Sequence, residues 1–289
     1  MIAIHNANIE VKVSPLGAEL QSIYCNSSKT EYLWQGNTAY WGKRSPVLFP
    51  IVGSLINNEY TYNDNTYTLP RHGFARELPF ELIVHSSNTI VYQLKHSQQS
   101  LAIYPFEFVL TITYKLIHNL LSTSYTITNP SNEALYCSIG AHPAFNIPLK
   151  GTVPYEAHYI AFDNDTTLER YKLNTAGLVT HNTEHITLHN HKLMLSHQLF
   201  EQDAIVLKQL KSNTLHVGNT VNQAGFSFTH TNAPYYGIWS TKQAPFICLE
   251  PWAGIADNEA HNNALIHKEG ILKIAGNNSY EMGWSMVCH

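Results

Sequence analysis

The chain has 289 residues, 13% of them charged, and 17 Lys+Arg against 21 Asp+Glu leave a formal net charge of −4. Ordinary soluble domains carry about 25% charged residues, and a surface this poor in ions offers no clustered basic footprint for nucleic-acid phosphates. No apolar run approaches the roughly 20 residues that span a bilayer, and the opening Met1-Ile2-Ala3-Ile4-His5-Asn6 lacks a charged and then apolar leader pattern, so a soluble, cytoplasmic protein is expected.

Strand-period alternation starts at once, with Ile9, Val11 and Val13 separated by Glu10 and Lys12. Cys25, Cys137, Cys248 and Cys288 are far apart and form no C-x-x-C pair, so reduced thiols are expected rather than a zinc site or a disulfide framework. Arginine is scarce. Of Arg44, Arg71, Arg76 and Arg170, three lie close together, and the segment Leu69-Pro70-Arg71-His72-Gly73-Phe74-Ala75-Arg76 sets a His and a Gly between two guanidinium groups. Such groups pair with neighbouring carboxylates such as Glu59, Glu77 or Glu81, or present planar donors to oxyanions and hydroxyls.

A strand over 89–95 is followed by Phe106, Phe108, Leu110, Ile112, Tyr114 and Leu116, every even position of one run and hence one face of a sheet. The phase resets after Ile117-His118-Asn119; Leu121, Thr123, Tyr125 and Ile127 form the second arm of a hairpin that ends at Asn129-Pro130-Ser131-Asn132. In Ile139-Gly140-Ala141-His142-Pro143-Ala144-Phe145-Asn146 a His ends an apolar strand just before a Pro, a strand-to-loop position suited to chemistry as well as to a satisfied core imidazole.

His181, His185, His189, His191 and His197 crowd the next region, but no Cys or carboxylate completes a metal-ligand spacing, and Thr-Leu-His-Asn-His-Lys-Leu reads as an exposed strand. The stretch 198–211 is the one place where a helix competes, opposed by the β-branched pair Ile205-Val206. Further strands follow at 214–221, 225–231 and 245–250. The last ends in Leu249-Glu250-Pro251-Trp252, where a carboxylate closes an apolar strand beside a Trp. It either faces solvent or is desolvated, and so raised in pKa toward general-base service near neutrality. Trp34, Trp41, Trp239 and Trp252 serve as core or as flat apolar faces for a sugar ring.

Many short strands without intervening helices, and no linker, repeat or composition break, indicate one all-β domain over 1–289, an antiparallel sandwich. Arg71-His72-Gly73-Phe74-Ala75-Arg76, Gly140-Ala141-His142-Pro143-Ala144-Phe145-Asn146 and Leu249-Glu250-Pro251-Trp252 together resemble the aldose 1-epimerase (galactose mutarotase-like) superfamily, in its LacX-type branch. Ser45-Pro46-Val47-Leu48-Phe49-Pro50-Ile51-Val52-Gly53, Leu199-Phe200-Glu201-Gln202-Asp203-Ala204 and Gly237-Ile238-Trp239-Ser240 extend the resemblance from about residue 8 to 285.

The resemblance implies a large antiparallel β-sandwich with a sugar cleft, working at the anomeric carbon without metal or cofactor, as monomer or homodimer. Residue by residue, Glu250 matches the general base at the C1 hydroxyl, His142 the acid at the ring oxygen, His72 a second substrate-binding histidine and Asp203 the acid holding ring hydroxyls. In that scheme His142 is protonated while Glu250 is ionised. Trp252 and Arg71 fall in the same matching segments. Galactose mutarotases carry an Arg and an Asn shortly after the position of Gly53, where this chain reads Ser54-Leu55-Ile56-Asn57-Asn58, which leaves the hexose open. Arginines near the positions of Arg44 and Arg76 hold the phosphate in the related hexose-6-phosphate epimerases, so a phosphosugar is a second expectation and a non-catalytic carbohydrate-binding module a third.

Overall fold

The computed structural model describes residues 1–241 and 243–289. Among the described residues two large antiparallel sheets face each other. One runs in the order Lys192–Met194, His158–Phe162, Thr214–Asn219, Phe226–Thr231, Ser279–Cys288, Leu120–Thr128, Val109–Ile117, Thr89–Lys95, Glu81–His85. The other runs Val179–Thr187, Thr167–Leu173, Ile205–Leu207, Tyr235–Trp239, Phe246–Ala253, Ile139–Ala141, Val47–Leu48, with Ala144–Asn146 also paired to Phe246–Ala253. A four-stranded sheet from Ile2–His5 to Thr30–Glu31 flanks them. No helix among the described residues is long and apolar enough to cross a membrane.

The period-two pattern explains how the sheets stack. Leu110, Ile112, Tyr114 and Leu116 are all buried on the inner face of their strand, and Phe106 and Phe108 join them although they precede the ladder. The hairpin turns at His118, in the left-handed region at φ 54°, so Ile117 pairs directly with Leu120. Aromatic contacts stitch the sheets together: Phe145 meets Phe226 at 4.5 Å between ring centroids, and Phe49 meets Phe108 at 4.9 Å. Packing at such distances adds to the free energy of burying each ring. The core continues from Ile4 to Cys288, joining the first and last strands of the chain.

Three local expectations are corrected. Residues 198–211 form no α-helix; a single 3₁₀ turn, His197–Phe200, leads into the strand Ile205–Leu207, as the β-branched pair requires when both residues are buried between neighbouring strands. The stretch around His189 and His191 is not the exposed strand expected there, since one strand ends at Thr187 and the next begins at Lys192. Asn190 and His191 have φ of 52° and 59°, closing a tight turn before Lys192–Met194. Glu250 does not end its strand, which continues through Pro251 to Ala253. Its partners explain the tolerance for proline: Ala144–Asn146 pairs with 246–248 and Ile139–Ala141 with 252–253, and between them the neighbouring chain breaks around His142 and Pro143, so the missing N–H at 251 costs no ladder bond there.

Candidate active site

Alternation along Phe246–Ala253 sorts its side chains. Ile247, Leu249 and Ala253 enter the inter-sheet core, whereas Phe246, Cys248 and Trp252 belong to smaller clusters on the opposite face, and Glu250 shares their parity. The same split holds on Tyr235–Trp239, with Tyr236 and Ile238 inward and Trp239 outward. The outward face is the floor of a cleft of about 570 Å³, lined by Arg71, His72, Arg76, His142, Asp203, Glu250 and Trp252 and walled by Tyr40, Trp41, Val179, Val206 and Trp239. That size suits one small ligand.

Register brings the two central groups together. Gly140 pairs with Trp252 and Ala144 with Cys248, so the same antiparallel register, carried across the break, sets His142 opposite Glu250. His142 Nε2 lies 3.4 Å from Glu250 Oε2, with both side chains buried. On the other side Glu250 pairs with Gly237, where a Cβ would collide with the Trp252 indole; glycine there lets the ring lie flat along the cleft floor.

Burial governs the protonation of both groups. Desolvation raises the Glu250 carboxyl well above the usual carboxylate range, reinforced by Asp203 and opposed by Arg71 and by the Trp252 indole N–H, which approaches without closing an aligned hydrogen bond. Desolvation lowers His142 to about 3, opposed by backbone hydrogen bonding and assisted by the positive charges of Arg76 and Arg71. Burial thus favours the neutral form of each group, a neutral imidazole beside a carboxylic acid, whereas the expected scheme starts from a protonated His142 beside an ionised Glu250. The two descriptions hold the same single proton and differ only in which group carries it. Trp41 stacks on the His142 ring at 4.8 Å and Trp239 meets it edge-on at 5.5 Å, fixing its plane.

His72 is held from both ring nitrogens. The Gly53 amide donates to His72 Nδ1 at 3.1 Å, Arg71 Nε donates to His72 Nε2 at 3.3 Å, and the His72 amide donates to the Gly53 carbonyl at 2.9 Å. Desolvation first, then His142, Arg71 and Arg76, holds it neutral. Gly53 has φ 72° and packs against Ala256 so closely that a side chain would collide with it. Arg71 NH2 stands 3.8 Å from Asp203 Oδ2, a half-exposed pair that orients more than it stabilises.

Arg44 is not brought to this cleft. Its guanidinium donates to Gln21 at 3.0 Å and its carbonyl accepts from the Ala144 amide, so it supports the chain that follows His142. Trp34 is likewise behind the wall, donating from its indole to the Trp41 carbonyl at 2.9 Å. Arg170, which sequence reasoning left unassigned, is buried and donates to the carbonyls of Gln202 and Asp203 at 3.2 and 2.9 Å, holding the turn that carries Asp203 at φ 70°. The scarcity of arginine was the one signal that pointed to it. Among the described residues the histidines from 181 to 197 form no cluster of metal-ligating groups.

Comparison with known proteins gives the family. The family model described as aldose 1-epimerase matches residues 1–263. The plasmid-encoded protein LacX of Lactococcus lactis subsp. lactis is 33% identical over 282 residues, 94% of each chain. A crystal structure of a galactose mutarotase related enzyme from Lactobacillus acidophilus is 34% identical with a TM-score of 0.95, covering 100% of this chain and 97% of that one. A galactose mutarotase-like protein from Lactobacillus casei is 26% identical with a TM-score of 0.92 over 100% of both chains. With the family model matching most of its length and a curated relative 33% identical over 94% of both chains, this chain belongs to the aldose 1-epimerase family.

Proposed function

We propose that the protein interconverts the α and β anomers of a free aldohexose, with Glu250 and His142 as the proton-transfer pair, and the observation that carries this reading is their direct opposition at 3.4 Å on a desolvated cleft floor. In the ring-opening direction the Glu250 carboxylate takes the O1 proton while the His142 imidazolium protonates O5; the C1–O5 bond breaks and the aldehyde forms. That step ends with a carboxylic acid and a neutral imidazole, the state burial favours in the empty cleft. Ring hydroxyls and Arg71 supply the polar surroundings that stabilise the ionised pair when sugar is bound. Rotation about C1–C2 and attack of O5 on the other face return the proton by the reverse route. His72, Asp203 and Arg71 hold ring hydroxyls, and the Trp252 face meets the C–H side of the ring.

A non-catalytic sugar binder has no use for a buried carboxyl and imidazole side by side, since each costs free energy to desolvate. A hexose 6-phosphate is the second reading, favoured by Arg71 and Arg76 both lining the cleft. Arg76 is engaged with the Arg71 carbonyl at 3.0 Å and with Glu77 at 3.5 Å, and Arg44 lies elsewhere, which favours the uncharged sugar.

Polarimetry of freshly dissolved α-glucose and α-galactose, with and without protein, tests the reading. Acceleration is expected, and Glu250→Gln is expected to lower kcat by at least about 10³-fold, the scale of losing a proton-transfer group, while sugar binding stays within a few fold. A fully active Glu250→Gln variant ends the assignment. Rates that respond only to hexose 6-phosphate, and fall steeply with salt, select the phosphosugar.

A further inference from the structure

Cys248 has no part in this mechanism, yet it lies two residues before Glu250 on the same face of the same strand. Its side chain is fully buried and packs with Trp34, Ala144, Ala244 and Phe246, which a small apolar residue would do equally well. That packing leaves a second feature unexplained. The donor atoms of His142, Cys248 and Glu250 all lie within 4.8 Å of one another. The His142–Glu250 edge of 3.4 Å already matches the roughly 3.3–3.7 Å between neighbouring ligand atoms that follows from zinc–ligand distances of about 2.0–2.3 Å in a tetrahedral site. His142 is only 8% exposed and its buried Nδ1 has no hydrogen-bond partner, so small ring adjustments sacrifice no bond there.

We propose that His142, Cys248 and Glu250 form a binding site for a thiophilic divalent cation such as Zn2+, and that its occupancy inhibits the enzyme by engaging both proton-transfer groups. The Cys248 thiol and the Glu250 carboxyl each release a proton to solvent as their bonds to the metal form, and His142 offers a neutral nitrogen lone pair. Two anionic ligands and a doubly charged cation make a complex with no net charge, the kind a buried site accommodates best. Sulfur selects against Mg2+ and Ca2+, which prefer all-oxygen shells. The inhibition rests on the acid–base reading above; the binding does not.

Co2+ added alone to the full chain reports the binding directly, because a cobalt–thiolate bond gives a charge-transfer absorption band in the near ultraviolet. The band is expected in the wild type, is expected to disappear on adding Zn2+ but not Mg2+, and should be missing from Cys248→Ala. Should that variant fail to fold, Cys248→Ser serves, since a hydroxyl gives no such band. Zn2+ is expected to slow wild-type mutarotation at concentrations at least about tenfold below those that slow the cysteine variant, each compared with its own metal-free rate. No band, or a band that survives in both cysteine variants, overturns the site. A cysteine-dependent band without any slowing overturns the inhibition and, with it, the acid–base roles.

Discussion

Burial disfavours the charged form of both His142 and Glu250, and the two should therefore respond to pH with opposite sign. His142 titrates at about 3 in the fold and near 6.5 in an unfolded chain. Between those values the unfolded chain binds a proton that the folded one refuses, so stability falls as pH drops through that window. Burial raises the Glu250 carboxyl in the fold, so on raising pH the unfolded chain gives up that proton first; the contribution is fully present at low pH and is lost as pH rises through the folded value. Arg71, Arg76, His72 and Asp203 face the pair in the same cleft, and substituting either member of the pair leaves all four in place. His142→Gln is expected to flatten the fall in Tm on acidification, by up to about 1.4 kcal/mol of stability per pH unit, and Glu250→Gln to flatten the loss on the alkaline side. Thermal melts across pH 4–8 check both. A His142→Gln variant that follows the wild-type acid slope contradicts the burial account.

At the scale of elements, the cleft depends on a buried ion pair. Lys268 Nζ sits 2.8 Å from Asp257 Oδ1 with neither side chain exposed, and Asp257 Oδ2 accepts from the Ile56 amide at 3.0 Å. The Asp257 backbone adds bonds to Ser54 and Val179, so one residue ties the loop after Gly53 to the cleft wall. Lys268→Met strands a buried carboxylate and is expected to cost about 3–5 kcal/mol, with KM raised more than kcat falls; Lys268→Met with Asp257→Leu should recover much of the stability and little of the KM. Urea unfolding and steady-state kinetics distinguish these outcomes. None of this was legible in the sequence, because Asp257 and Lys268 form no motif and meet only through tertiary packing. Alternation was legible, since the burial of residues 106–116 follows directly from side-chain parity. Parity could not reveal that Pro251 lies inside a strand, because the gap opposite it belongs to a distant segment. Nor could proximity in sequence tell that Arg44 turns to Gln21 while Arg71 and Arg76 enter the cleft.

For the whole molecule, one continuous core runs from Ile4 to Cys288 among the described residues. The last strand, Ser279–Cys288, lies between Phe226–Thr231 and Leu120–Thr128 in the interior of its sheet. One calorimetric transition with equal van't Hoff and calorimetric enthalpies is expected, and two resolved transitions contradict it. The low charge of the chain has a related effect on ligand capture. With a net charge of −4 spread over few ions, association of an uncharged sugar should be insensitive to salt.

The shared register of His142 and Glu250 also gives the protein a clock for its own folding. The two groups are brought together only when the strand Phe246–Ala253 has paired on both sides of the gap, a closure spanning residues 142 to 250 that must await much of the chain. Secondary structure and even collapse can precede that event, but proton transfer cannot. On the acid–base reading proposed above, catalytic competence should therefore lag the recovery of circular dichroism during refolding, and the delay measures how late the sandwich finds its register.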